Sequence, residues 1–235
     1  MFFLNAFSFL IDLIFPKACV SCGANGSYLC KNCSKKIRWK DQQTCPRCER
    51  PRMNGKFCVG CSHGFNFESL VVCAKYEGIL SRLIKLYKYS FVKEVARELT
   101  DILESGLKFL PKENVVLIPA PLSRKRKMFR GYNQNLFLAE YLSRQLSALV
   151  LDCLDKEKET LCQAKLSKEK RLLNVNNSMA FKKKCKTPEV LERLKNSNIV
   201  LLDDVAGTLA TLNECARALR EVGVLKISCL VICRN

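Results

Sequence analysis

Residues 198–223 read NIVLLDDVAGTLATLNECARALREVG. Asn198 leads into four apolar residues, 199–202, a run short enough for a strand and apolar on both faces. That is the pattern of a strand buried in a parallel sheet. Asp203 and Asp204 stand at its end, followed by a loop of small residues and then a helix. Thr211 with Glu214 three residues on is a capping box, which predicts the helix start at Thr211. Strand, loop and helix in that order aim free backbone N–H groups at the space beyond the strand, a natural phosphate cradle. The two carboxylates have two readings. They accept hydrogen bonds from a sugar diol and assist a Mg²⁺, or they are a surface pair capping a turn. Spacing alone does not separate the two.

The same alternation extends outward. SLVVCAKY (69–76), NVVLIPAP (114–121), VLDCL (150–154) and LKISCLVIC (225–233) read as strands. GILSRLIKLYKYS (78–90), residues 92–110, residues 133–149 and TPEVLERLK (187–195) carry apolar residues at helical spacing. Thr187 is the N-cap of the last of these, with Pro188 at its first position. The fold class is α/β, a parallel sheet with helices on both faces. In such sheets ligands bind beyond the carboxyl ends of the strands.

A second constellation follows the strand at 114–121. In IPAPLSRKRKMFRGYNQN (118–135), Arg124, Lys125, Arg126, Lys127 and Arg130 place five cations within seven residues. The segment reads as a solvated charged turn or as a loop that binds phosphate or pyrophosphate, with Gly131 turning the chain into a helix near Asn133.

Composition bounds what surrounds these motifs. With 48% hydrophobic and 26% charged residues, the 235-residue chain is globular rather than disordered. Its formal net charge of +18 favours polyanions such as nucleic acid, nucleotide phosphates or an anionic membrane.

Eight of the fifteen cysteines form four C-x-x-C pairs in the first quarter of the chain. Cys19, Cys22, Cys30 and Cys33 are expected to hold one structural zinc, and Cys45, Cys48, Cys58 and Cys61 a second. Four thiolates leave no open coordination position, so the metals fold the module and catalyse nothing. An interleaved pairing of the knuckles stays open. The other seven, Cys73, Cys153, Cys162, Cys185, Cys215, Cys229 and Cys233, read as small core fillers, and His63 as a solvent-facing loop residue. The opening MFFLNAFSFLIDLIFP has no basic n-region and no cleavage site, and it is too short to span a bilayer. Phe3, Phe7, Leu10 and Ile14 recur at helical spacing up to Pro16, which predicts a short packed helix. The expected organisation is a ribbon module at 1–66 and a sheet domain at 67–235, with no transmembrane segment and a cytoplasmic location.

Together these strings resemble the ComF family (the ComFC/GntX group). The C-x-x-C pairs, YEGILSRLIKLYKY, PLSRKRKMFRGYNQ, TLCQAKLSKEKRLLNVNNSMAF and VLLDDVAGTLATLNECARAL occur in that family's order over nearly the whole chain. Pro121, Leu122, Arg126, Arg130, Gly131, Tyr132, Asn133 and Gln134 match one motif; Thr160, Gln163, Leu166, Ser167, Arg171, Asn174, Val175 and Phe181 match another. The resemblance implies a double zinc ribbon joined to a type I phosphoribosyltransferase fold. It also implies phosphoribosyl pyrophosphate (PRPP) with Mg²⁺ as ligand, pentosyl transfer in nucleoside metabolism, and a link to DNA uptake through the competence machinery. On it, Asp203 and Asp204 hold the ribose diol. Val205, Ala206, Gly207, Thr208, Leu209, Ala210 and Thr211 hold the 5-phosphate, and Arg126, Arg130, Gly131 and Lys88 take part in substrate binding. The family's loop has threonine where Gly207 stands and glycine where Leu209 stands; Lys156 and Lys158 stand for arginines. A leucine forced to φ > 0 strains the loop by about 1–3 kcal/mol.

Two function classes are open on the sequence: a phosphoribosyltransferase of unknown acceptor, and a non-catalytic protein that binds single-stranded DNA or a protein partner. For the second, Trp39 and Tyr28 supply rings for base stacking, although Trp39 also suits a core position.

Overall fold

Apolar runs with no polar face can be satisfied only in the middle of a sheet. The computed structural model, which describes residues 17–89, 94–157 and 178–234, puts them there. The elements in chain order are α1 (Lys31–Ser34), β1 (Ser69–Lys75), α2 (Gly78–Tyr89), α3 (Val95–Glu104), β2 (Val115–Pro119), α4 (Arg124–Arg130), α5 (Gln134–Leu146), β3 (Leu149–Val150), β4 (Leu154–Lys156), β5 (Met179–Phe181), α6 (Pro188–Lys195), β6 (Asn198–Ala206), α7 (Ala210–Arg220) and β7 (Ile227–Arg234). Five strands form a parallel sheet in the order β1-β7-β6-β2-β3, and β4 and β5 form a separate antiparallel pair. The predicted N-terminal helix, Lys158, Cys162 and the motif residues from Thr160 to Val175, all but Phe181 of that motif, lie outside the described residues.

Period-two alternation sorts each strand into two cores. On β6, Ile199 and Leu201 face α7 residues Leu212, Cys215, Ala216 and Leu219. Val200 and Leu202 face Leu83 and Ile84 of α2, Leu99 of α3 and Leu138 and Leu142 of α5. Cys73, Cys153, Cys215, Cys229 and Cys233 are buried among them, and Cys185 is half-buried. Burial pushes the thiols of Cys73 and Cys153 up to about 12, which keeps them inert.

Three expectations change. The chain at 150–154 is not one strand. Leu151 N–H bonds Leu117 O at 2.9 Å, and the chain then leaves the sheet to form β4 against β5. The basic segment is a helix rather than a loop. Ser123 caps α4 by accepting from Arg126 N–H, and Gly131, at φ 73°, ends it. α7 begins at Ala210, so Thr211 lies inside the helix and cannot cap it. Glu214 instead pairs with Arg217 at 3.0 Å, and Arg217 also donates to Met179 O at 2.9 Å.

The ribbon closes the outer edge of β1. Lys40 N–H donates to Cys73 O at 2.8 Å and Lys75 N–H to Arg38 O at 2.9 Å, which brings Trp39 opposite Ala74. Trp39 contributes its backbone there; its side chain is exposed, not a core residue. Gln43 is buried, and its carboxamide acts as a substitute peptide unit. It donates to Val72 O at 3.0 Å and accepts from Val72 N–H at 2.9 Å. An open edge would be a template for another strand. Gln43→Leu leaves a buried N–H and C=O unpaired, so we expect a loss of about 2 kcal/mol or more in urea unfolding. Faster amide exchange at Val72 should accompany it.

Candidate functional site

From β2 the chain crosses to β3 on one side, and from β6 to β7 on the other. The crevice beyond the carboxyl ends of β2 and β6 is therefore the topological switch point, where open α/β sheets hold ligands. Asp203 and Asp204 lie there. Both belong to β6, which continues to Ala206 rather than stopping before them.

Asp204 is 3% exposed. Its Oδ1 meets Lys88 Nζ, from the last turn of α2, at 2.8 Å, and its Oδ2 accepts from Gln134 Nε2 at 2.9 Å. Burial works against its charge, but Lys88 and the hydrogen bonds outweigh burial and hold the carboxyl below its usual range. Asp203 is half-buried. Its Oδ1 accepts from Asn135 Nδ2 at 2.8 Å and from the Asp204 N–H at 2.9 Å. Burial, with the Asp204 charge beside it, pushes this carboxyl up to about 7.

The N-terminus of α5 organises both aspartates. Asn133 caps the helix by accepting from Asn135 N–H, and Asn133 and Asn135 side chains both donate to Ala120 O, just past β2. Tyr87 Oη donates to Gln134 O at 2.7 Å. Gln134 and Asn135 were absent from the expected site. The available signal was their position: two amides, each a donor and an acceptor, directly after a strand, a glycine turn and a helix start.

Arg130 is 7% exposed, with its guanidinium 5.7 Å above the Tyr89 ring. Among the described residues its Nη1 is buried without a partner, as are Gln134 Oε1 and Asn135 Oδ1. A buried guanidinium nitrogen without an acceptor is costly, and an anion would relieve it. Arg126, one turn earlier on α4, is exposed. Lys156 on β4 is near enough to feel the charges of Arg126 and Asp203.

Asp203, Val205, Ala206, Gly207, Thr208, Leu209, Ala210 and Thr211 line a cleft of ≈ 40 Å³ that also touches Leu212. That is a few times what one water needs, a size for a phosphate rather than a base. Gly207 is exposed, and a Cβ there would meet nothing within 4 Å. The left-handed position is Leu209, at φ 66° and ψ −1°. Its side chain is 4% exposed and packs in the α7-side core, which keeps a leucine where glycine fits the backbone better.

In the ribbon, Cys19, Cys22, Cys30 and Cys33 converge, as do Cys45, Cys48, Cys58 and Cys61, with the ligand atoms of each group within 4.8 Å of one another. The knuckles therefore pair sequentially. Cys22–Cys30 and Cys48–Cys58 sulfurs are each 3.6 Å apart, close to the roughly 3.8 Å expected across a tetrahedral ZnS₄ site. Burial raises the Cys45 thiol, but N–H groups of Cys48, Cys58 and Arg47 outweigh it and bring it down to about 6. Both groups fit structural zinc. His63 is exposed and belongs to neither set.

Residues 10–62 match the family model for a double zinc ribbon domain. The chain is 30% identical to competence protein ComFC of Bacillus subtilis over 83% of its own length and 79% of that protein. It is 29% identical to competence protein F of Haemophilus influenzae, covering 89% and 93%, and 28% identical to the DNA utilization protein YhgH of Escherichia coli K12, covering 88% and 90%. No helix among the described residues is long and apolar enough to cross a membrane.

Elemental analysis should find two zinc ions per chain, and loss of either four-cysteine set should remove one. Leu209→Gly should destabilise the fold by about 2 kcal/mol, the middle of a range of roughly 0–4. Relief of the left-handed backbone is worth about 1–2 kcal/mol, while deleting a buried leucine side chain costs about 2–5. Equilibrium unfolding measures the difference, and a stabilised variant would show that backbone strain dominates.

Proposed function

The chain belongs to the ComF family, and from that premise we propose that it binds phosphoribosyl pyrophosphate with Mg²⁺ in the crevice between β2 and β6. The observation that carries this reading is the buried Nη1 of Arg130, unpaired among the described residues, beside a carboxylate pair and a strand–loop–helix cradle. Arg126 and Arg130, four residues apart on one helical face, suit the two phosphates of a pyrophosphate. The 205–211 loop suits the 5-phosphate, and Asp203 supplies acceptor oxygens for ribose hydroxyls. Mg²⁺ would neutralise pyrophosphate oxygens, and Asp203 is the cleft-lining carboxylate able to help hold it. In transfer, the C1–oxygen bond to pyrophosphate breaks and a bond from C1 to an acceptor nucleophile forms. The protein's contribution is to hold the ribose and to stabilise the departing charge.

A second reading has its own observation. Met128 and Phe129 of α4 are 84% and 64% exposed, in sequence beside Arg124, Lys125, Arg126 and Lys127, and the Tyr89 ring under Arg130 is 64% exposed. Rings among cations suit single-stranded DNA. The competence and DNA-utilization names of the relatives favour DNA or competence-machinery partners as well.

Calorimetry on the zinc-loaded protein with PRPP and Mg²⁺ should show one site, weakened at least about tenfold by Arg130→Met, which is about 1.4 kcal/mol. Absence of heat with PRPP, together with salt-sensitive binding of a labelled oligonucleotide lost on Phe129→Ala, would replace the first reading with the second.

A further inference from the structure

We propose that α2 is an arm through which the first four-cysteine set supports the Arg130 side of the crevice. Zinc at that set and an anion at Arg130 then stabilise each other, and Ile79 and Arg82 are positioning residues for the anion. The identity of the anion, a pyrophosphate, rests on the phosphoribosyl reading; the arm rests on the contacts at the two ends of one helix.

At the ribbon end, Ile79 is buried with Cys19 and Cys33, so the second residue of α2 packs directly on the first set. Arg82, one turn on, donates to Val20 O at 3.3 Å. Val20 follows Cys19, and its own N–H donates to Tyr28 O at 3.0 Å, which joins the two knuckles of the set. Both contacts of α2 are thus with chain that the metal draws together. In a module of this kind metal binding is folding free energy, so loss of metal loosens the seat of Ile79.

At the crevice end, three successive residues address three different elements. Tyr87 Oη donates to Gln134 O at the start of α5, Lys88 Nζ pairs with Asp204 of β6, and the Tyr89 ring lies under the Arg130 guanidinium of α4. Successive helical residues point roughly 100° apart, so these contacts fix both the position of the helix end and its rotation. Between the two ends, residues 79–89 contain no glycine and no proline, where helices most often bend. Leu80, Leu83 and Ile84 are buried in one core with Leu99 of α3 and Leu138 of α5. From Ile79 to Lys88 the axis runs roughly 14 Å, and a shift at the first end of such a helix reaches the second.

The second set leans elsewhere. Gln43 beside it bonds Val72 of β1. Past Cys61, the Asn66 N–H donates to Asn213 Oδ1 at 2.7 Å, and Asn213 Nδ2 donates to Gly64 O at 3.0 Å. Asn213 belongs to α7, the helix that follows the 205–211 loop. The support from the ribbon is therefore divided: the first set bears on the Arg130 side and the second on the loop side. Coupling through α2 should appear with a ligand that uses Arg130 and not with one confined to the loop. By linkage it should run in both directions with one factor.

The test uses the full zinc-loaded chain. Calorimetry measures Mg²⁺-pyrophosphate and, separately, ribose 5-phosphate on wild type, Ile79→Ala/Arg82→Ala and Leu194→Ala. Leu194, buried on α6, controls for packing lost away from the arm. The double variant should retain zinc at both sets, bind pyrophosphate at least about fivefold more weakly and bind ribose 5-phosphate as wild type does. Arg82→Ala, at an exposed position, should repeat the pattern at smaller amplitude with the packing of Ile79 intact. Leu194→Ala should bind both ligands as wild type does. In the opposite direction, saturating Mg²⁺-pyrophosphate should slow alkylation of Cys22 by a similar factor, read by mass spectrometry, and leave Cys48 unchanged; both thiols are exposed. Arg130→Met, the control for zinc extraction by pyrophosphate itself, should show no such protection. Unchanged pyrophosphate affinity in the double variant, equal weakening of the two ligands, or equal weakening by Leu194→Ala overturns the proposal. Failure of wild type to bind pyrophosphate overturns the phosphoribosyl reading and the coupling to an anion with it. Hydrogen exchange without ligand then decides the arm by itself. The amides of Asn135 and Leu136, in the first turn of α5, should exchange faster in the double variant than in Leu194→Ala, and equal exchange overturns the arm.

Discussion

A carboxylate at 3% exposure must be neutralised from within the protein, and the 2.8 Å contact between Lys88 and Asp204 does this. Much of the crevice is arranged around that requirement. α2 has to end where its last turn reaches β6. Gln134 has to cover the second oxygen of Asp204, which places the start of α5. Tyr87, beside Lys88 in sequence, holds the Gln134 carbonyl from below and ties the two helices to one point. With Asp204 committed, the neighbouring Asp203 is left close to a like charge, half-buried and facing the cleft.

The ribbon connects to this arrangement at two places. At the first cysteine set, Cys19 and Cys33 pack with Ile79 on the first turn of α2, and Arg82 donates to Val20 O at 3.3 Å. The helix that rests on one four-cysteine cluster at its start thus carries Lys88 at its end. Near the second set, Gln43 lies two residues before Cys45 and fills the open hydrogen-bonding positions of Val72. Gln43 O in turn accepts from Arg52 N–H, within the loop that returns to Cys58. The metal module shields a strand edge and supports a helix, so its folding bears on the sheet as well as on itself.

The 205–211 loop has reached a different compromise from the one its sequence suggests. Glycine belongs where φ is positive, yet the left-handed residue is Leu209, and Gly207 has an ordinary backbone. Leu209 is held by its side chain, which is buried with Leu212 and Cys215 against the sheet. Core packing offsets a backbone strain that would otherwise select glycine.

Much of this was legible in the residues alone. Apolar runs alternating with helical periodicity imply a covered parallel sheet, because period and polarity are local properties of the chain. Four C-x-x-C pairs imply two tetrahedral sites, because ligand spacing is local too. The Thr187–Pro188 helix start was legible for the same reason. Other features depend on what meets across the fold. Asp203 and Asp204 are chemically identical side by side in sequence, and only Lys88, Gln134 and Asn135, 68 to 116 positions away, make them unequal. The Thr211 capping box was a sound local signal, but helix packing moved the start to Ala210 and gave Glu214 to Arg217. Sequence pattern determined which elements form and which metals suit them. Tertiary structure decided which carboxylate is buried, which arginine is buried and which residue carries the loop's strain, because burial and charge pairing exist only once distant segments are packed together.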